Sequence, residues 1–237
     1  MNNIDNNLFF IEEEIKKIEK IAKEDPLKAI YVLDEDKKQF SLKEDLDDLD
    51  ALRDNIEFQL KKQNLITSTK LDTLSLINSL KNKKMGYAFM LSYNELKKRD
   101  DIAKYAIEFQ DFFKGNDFDS KGFQTLIYDL LVNSNIDFEY DIQNKKINPK
   151  KLGSLLKNAE IQKMQDEIIA TFDKDISKNK VARQVFSAYL FQNWVAILLH
   201  ETKDDYLKIS HVIEVILGNQ TSDSLSEEEK ELYNIFK

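Results

Sequence analysis

Apolar residues recur along this chain at steps of three and four, in segment after segment. Leu8, Ile11, Ile15, Ile18 and Ala22 stand at such steps between Glu and Lys, the spacing of an amphipathic helix. Asp25 followed by Pro26 reads as an N-cap and an N1 proline, so a second helix opens within a few residues of the first one's end and turns Leu27, Ile30 and Val32 or Leu33 inward. The two fold back as a helical hairpin. Ser41 and Glu44 have capping-box spacing ahead of Leu42, Leu46, Leu49, Leu52, Ile56 and Leu60, which predicts a third helix of about five turns. Leu71, Leu74, Ile77 and Leu80 predict a fourth helix, and Met85, Ala88, Phe89, Leu91 and Leu96 a fifth. Ile102, Tyr105, Ala106, Phe109 and Phe113 predict a sixth, with Gly115 at its C′ position, and Ser120 is placed to cap a seventh through Phe123, Leu126, Ile127, Leu130 and Leu131. The connections are short, so neighbouring helices should run antiparallel.

The period changes once. Ile136, Phe138, Tyr140 and Ile142 alternate with polar residues before Gln143 and Asn144, and a second short run ends at Ile147, a pattern that predicts a small β-hairpin near 136–147. Asn148 and Pro149 restart a helix; 150–158 and 161–172 read as one bent or two separate helices with Gly153 as the weak point. Ser177 starts the most apolar segment, where Val185 to Leu199 cover most of a helix circumference, the mark of a helix buried by neighbours on several sides. Helices over 206–217, closed by Gly218, and 227–236, opened by Ser224 or Ser226, complete the chain. The expected fold is all-α: eleven or twelve helices in an array or irregular bundle of antiparallel helical hairpins, with one small β-hairpin. Residues 1–135 form the expected N-terminal helical region and 136–237 the hairpin and C-terminal helices, packed on the first as one body.

Composition narrows what such a fold can do. The chain has 237 residues, 42% of them hydrophobic, enough for one sizeable core or two small ones. Gly 5 and Pro 2 supply little of the turn chemistry of sandwiches, barrels and phosphate-cradling loops, and Cys 0 removes disulfides, thiolate metal sites and cysteine nucleophiles. No signal-peptide pattern opens the chain, and the longest apolar stretch, 185–199, carries Ser187, Gln192 and Asn193 and is too short for a membrane span. A cytoplasmic protein without a membrane partner is the expectation. Lys greatly outnumbers Arg, so a lysine by itself says little about function.

Glu24-Asp25-Pro26-Leu27-Lys28-Ala29 running to Leu33, followed by the acidic helix of Leu46, Leu49 and Leu52, resembles a group of uncharacterised helical proteins of low-G+C bacteria with a tetratricopeptide-like arrangement. In that group a later extended segment runs into Asn-Pro, and Asp137 to Tyr140 with Asn148-Pro149 look like that element. The 34-residue tetratricopeptide consensus itself is absent. The resemblance implies stacked helical hairpins and an interaction role, and it brings no catalytic residues.

Candidate chemistry is sparse. Asp117, Asp119 and Gly122 occupy positions 1, 3 and 6 of a calcium loop, but Lys121 and Tyr128 stand where oxygen ligands are needed; a helix N-cap at Asp119 or Ser120 explains the same residues. Asp173, Asp175, Ser177 and Asn179 are a second near miss. His200 and His211 with Glu201 and Glu214 lack a third strong metal ligand. Nucleotide-binding glycine motifs and the serine-hydrolase elbow are missing. The expectation is therefore no metal, no cofactor and no enzyme.

Charge is more informative. Residues 34–57 carry ten acids against four bases, whereas 143–180 carries nine lysines against five acids in a chain of net charge −8. The leading expectation is a non-enzymatic interaction or scaffold protein that binds a protein or peptide, with Phe9, Phe10, Phe112, Phe118 and Tyr233 outside the core. The alternative is nucleic-acid or acidic-partner binding through the Lys-rich segment, with Lys145, Lys146, Lys150 and Lys151 as phosphate contacts and Tyr140 as a stacking platform.

Overall fold

A computed structural model describes residues 2–63, 68–82, 85–172, 175–202 and 205–237, with side-chain surroundings from Ile11 onward, Gln63 excepted. Within them lie eleven α-helices and one two-stranded antiparallel hairpin, so the fold is all-α with a small β element. The chain divides into two compact units, Met1–Tyr105 and Ala106–Lys237, ahead of the expected boundary at 135/136. The division falls where Tyr105 (φ −110°, ψ 19°) kinks the segment Ile102–Phe113, which winds as a 3-10 helix rather than the expected α-helix.

The first unit contains α1 (Asn2–Glu24), α2 (Pro26–Asp36), α3 (Lys43–Gln63), α4 (Thr73–Leu80) and α5 (Tyr87–Leu96). The α1–α2 hairpin forms as expected, and α3 packs on it with Leu49 and Leu60 meeting Ile18, Leu27 and Leu33 in a fully buried core. Asp25 closes the hairpin: one carboxylate oxygen caps α2 by accepting from Lys28 N at 3.0 Å, and the other accepts from Thr69 Oγ1 at 2.8 Å and Lys70 N at 2.7 Å. A cap visible in the sequence thus also fastens a segment more than forty residues away. Ser41 does not open α3. That helix starts at Lys43 with the Leu42 carbonyl accepting from Leu46 N, and Leu42 is half exposed.

Helix α5 is capped from a distance. Its N-cap is Gly86, which supplies no capping side chain, and Met85 stays outside the core. Glu57 of α3 supplies the acceptor instead, taking Tyr87 N at 2.7 Å and Ala88 N at 3.4 Å on Oε1, while Oε2 accepts from Arg53 at 3.0 Å. Arg53 in turn donates to Asp34 of α2 at 3.1 Å. Burial pushes the Glu57 carboxyl up, but the two backbone N–H groups and the Arg53 guanidinium outweigh it and hold it below its usual range. Gly86 leaves room for this approach, because a Cβ there would sit 2.6 Å from Glu57 Oε1 and one of the two would have to shift.

The second unit is organised around one helix. Its helices are α6 (Phe118–Asn133), α7 (Pro149–Leu152), α8 (Ala159–Phe172), α9 (Ile176–Leu198), α10 (Asp205–Ile216) and α11 (Glu227–Asn234). Helix α9 is contacted by α6, α8, α10 and α11, which is why its sequence is apolar nearly all round. Trp194, near its C-terminal end, is fully buried, as the apolar circumference predicted, with the rings of Tyr128 and Phe113 tilted against it 5.3 and 6.1 Å away centroid to centroid. Asp117, not Asp119 or Ser120, caps α6, accepting from Ser120 N at 2.8 Å; Asp175 caps α9, so that helix begins at Ile176 ahead of the expected Ser177. Ser226 and Glu229 form the capping box of α11.

The hairpin β1 (Tyr140–Ile142) and β2 (Lys145–Ile147) turns at Gln143 and Asn144, both with positive φ, and pairs Tyr140 with Ile147. Two positive φ values match the twist of a tight hairpin. Its outer edge is closed by a side chain: Gln110 donates to Asp141 O and accepts from Asp141 N, each at 2.9 Å, the pair of bonds a third strand would make. Asn148 and Pro149 restart the helix as expected, and the helix ends at Gly153 (φ 74°). Phe112, expected at the surface, is 1% exposed between Phe109 and Phe123, because the 3-10 winding turns it into the aromatic cluster. Phe118 and Tyr233 are half-buried, and the side chains of Phe9 and Phe10 lie outside the described residues.

Candidate functional site

The Lys-rich hairpin region is internally neutralised. Lys145 pairs with Glu201, Lys146 with Asp141 at 2.7 Å and Lys150 with Asp137 at 3.3 Å; Lys151 projects from the four-residue α7, its backbone N–H bound to Asn148. Asn148 and Lys150 hold the Asp137 carboxyl below its usual range, and Asp141 raises Lys146. Tyr140 does not provide a stacking platform. It is fully buried, its ring against Phe138 and Phe113, and its hydroxyl donates to Ala106 O at 2.8 Å. The alternation that suggested a strand places Tyr140 on the strand's inward face, and burial pushes its phenol up.

The two histidines go separate ways. His200 lies 3.6 Å from Glu160, while His211 bridges Glu229 at 2.9 Å and Ser224 Oγ at 3.0 Å. Among the described residues no three His, Asp or Glu side chains form a ligand set; Asp173, Lys203 and Asp204 lie outside those residues. The Ser224–His211–Glu229 order is that of a hydrolytic relay, but its bonds are structural: Ser224 Oγ donates to Thr221 O at 2.7 Å, and Glu229 accepts from Ser226 N at 2.7 Å in the capping box. Burial pushes the Glu229 carboxyl up, and Ser226 and His211 more than offset it. The relay fastens α11 to α10.

Two clefts of about 460 and 410 Å³ share Thr202 and Asp205; the first is lined mostly by charged side chains and the second by a mixture of charged and apolar ones. At their common wall the Tyr189 hydroxyl is bound to Asp205, and Lys208 joins Asp205 at 3.3 Å and Glu228 at 2.5 Å. These groups are already paired with one another.

A third concavity, about 550 Å³, is different in kind. It runs along the outer face of α9, with Phe118 of α6 on one side and Ile235 and Phe236 past the end of α11 on the other. Ile176 at one end is 89% exposed, and Phe191 and Phe236 are each 37% exposed. Phe191 lies over Gly122 of α6, whose hypothetical Cβ would touch its ring at 3.6 Å, and its centroid is 6.3 Å from that of Phe118. Between these apolar ends α9 presents Lys180, Arg183, Gln184 and Ser187, all exposed. The pattern of apolar positions pointed to Phe118 but not to Ile176, Phe191 and Phe236, because each taken singly looks like the buried apolar residues around it. The step Ile176, Lys180, Gln184, Ser187, Phe191 was the available signal, a mixed stripe on an otherwise apolar helix.

No protein-family model, curated protein or solved structure matches the chain. Among the described residues no helix is long and apolar enough to cross a membrane.

Proposed function

We propose that this chain is a non-enzymatic interaction protein of the cytoplasm that seats a segment of another protein in the groove along α9. One observation carries the reading: Ile176, Phe191 and Phe236 are uncovered around a single concavity whose floor is ordered by Phe118 and Gly122. Isolated apolar residues on a surface are ordinary, but apolar residues converging on a concavity mark a binding surface. The resemblance to tetratricopeptide-like helical proteins points the same way. Nucleic-acid binding through 143–180 is the less favoured reading, since Lys145, Lys146 and Lys150 are matched by carboxylates and Tyr140 is buried.

A photo-crosslinking residue at Ser187, in the groove, tests the reading in native cells against the same residue at Lys16 on α1. The expected result is a discrete adduct from position 187 that disappears when Ile176→Asp is added. Adducts of equal yield from both positions would contradict it. So would salt-sensitive binding of RNA or DNA by the purified chain that is abolished by Lys145, Lys146, Lys150 and Lys151→Glu.

A further inference from the structure

The groove's charge says what kind of segment fits it. Lys180 and Arg183 stand exposed on its α9 wall, and among the described residues neither takes part in an ion pair. Arg183 Nε donates to the neutral Asn179 Oδ1 at 2.7 Å, one turn earlier, a bond that brings it no opposite charge. Asp175 and Asp117 are oriented as helix caps, Asp175 accepting from Ser177 N and Lys178 N at the start of α9 and Asp117 from Ser120 N at the start of α6. This contrasts with the hairpin region of the same unit, where Lys145, Lys146 and Lys150 each have a carboxylate partner. An apolar occupant laid over Lys180 and Arg183 would desolvate two cations without return, unless it carried carboxylates of its own.

Shape settles the secondary structure of the occupant. From Ile176 to Phe191 the groove follows fifteen residues of α9, about 22 Å at 1.5 Å per residue. Its walls are helices and it offers no strand edge, and the exposed edge of β1 is occupied by Gln110, so strand addition has no template here. The small or flexible Ser187 and Gln184 at mid-groove permit close approach of a helix between the apolar ends. We infer that the groove along α9 takes an acidic amphipathic helix of about four turns, its apolar face on Ile176, Phe191 and Phe236 and its carboxylates on Lys180 and Arg183. This rests on the docking reading above and adds the chemistry of the partner.

The test uses the full chain and three dye-labelled peptides of sixteen residues: a helix with one apolar face and Glu on its flanks, its twin with Lys on the flanks, and the Glu peptide with a central proline. Fluorescence anisotropy at low salt is expected to show the Glu peptide binding at least tenfold tighter than both others, with the preference over the Lys twin shrinking in 0.5 M salt as screening grows. Lys180→Glu with Arg183→Glu should invert the preference. Both side chains are exposed, and the neutral pair Lys180→Gln, Arg183→Gln, which should bring the two affinities together, covers the case in which the charge reversal disturbs folding. Equal binding of the Glu and Lys peptides, lost in Ile176→Asp, would overturn the acidic partner while leaving the groove reading intact. Binding of neither peptide, or binding indifferent to Ile176→Asp, would overturn both.

Discussion

Replacing Asp25 removes three hydrogen bonds with one substitution, and the structure lets their loss be apportioned. Asp25 is 4% exposed; Oδ1 serves Lys28 N within α2, and Oδ2 serves Thr69 Oγ1 and Lys70 N ahead of α4. An N-cap removed to Ala costs about 1 kcal/mol, and hydrogen bonds to a charged acceptor contribute roughly 1.5 to 3 kcal/mol each when the partner is left buried and unpaired. Water can reach Lys70 more easily than Thr69, so Asp25→Ala should cost about 3 to 5 kcal/mol rather than the full sum. Asp25→Asn separates the parts. It keeps the cap acceptor but turns an amide N–H₂ toward the Lys70 N–H, donor against donor, and should cost about half as much. Urea unfolding followed by far-UV circular dichroism measures the totals, and hydrogen exchange assigns them: both the Lys28 and Lys70 amides should lose protection in Asp25→Ala, and only Lys70 in Asp25→Asn. A cost below about 1 kcal/mol for Asp25→Ala, or protection lost at Lys28 alone, would show that the long-range bonds contribute nothing and that Asp25 is only a local cap.

Other consequences follow from the same packing. Gly86→Ala should cost about 1 to 2 kcal/mol by driving Glu57 off the α5 N-terminus, and in a Glu57→Ala background the same change should cost far less; additive costs in this double-mutant cycle would refute the steric account. Because Glu57 is held below the ordinary glutamate pKa of about 4.3, its stabilisation is present above that pH and is lost as pH falls through its lower folded value. The stability gap between the wild-type chain and Glu57→Gln should therefore narrow from pH 5 towards pH 3, and a constant gap would contradict the cause given. Trp194→Ala should cost about 3 to 5 kcal/mol through lost burial and the cavity left behind. Trp194→Phe should cost much less, since among the described residues the buried indole N–H has no hydrogen-bond partner to lose, and a wild-type emission maximum typical of water would show that the helix is not enclosed.

What could be read from the sequence was local. Asp25-Pro26, Asn148-Pro149 and the glycines at 115, 153 and 218 announce their elements because a cap or a positive φ is satisfied within a few residues, whereas the choice between Ser224 and Ser226 at the last helix is made by the capping box of Ser226 with Glu229 in the fold. The apolar circumference of α9 likewise reported its own enclosure. Interactions across the fold were not legible: Glu57 capping α5 thirty residues on, Gln110 standing in for a strand beside Asp141, and Arg53 joining Asp34 to Glu57 all involve polar residues whose partners no periodicity marks. Tyr140 and Phe112 failed as surface candidates for the same reason, since their burial is decided by which face a neighbouring segment covers. The basic segment was visible as a count, but its carboxylate partners at Asp137, Asp141 and Glu201 appear only once the chain is folded.

The groove along α9 is tested most directly by methyl NMR on the isoleucine-labelled full chain, titrated with the Glu-flanked helical peptide. Ile176 and Ile235 border the groove, whereas Ile107 is 61% exposed outside it. The account predicts saturable shifts of the Ile176 and Ile235 methyl signals with Ile107 unmoved; shifts centred on Ile107, or on Ile142 and Ile147 of the hairpin, with Ile176 unchanged would contradict it.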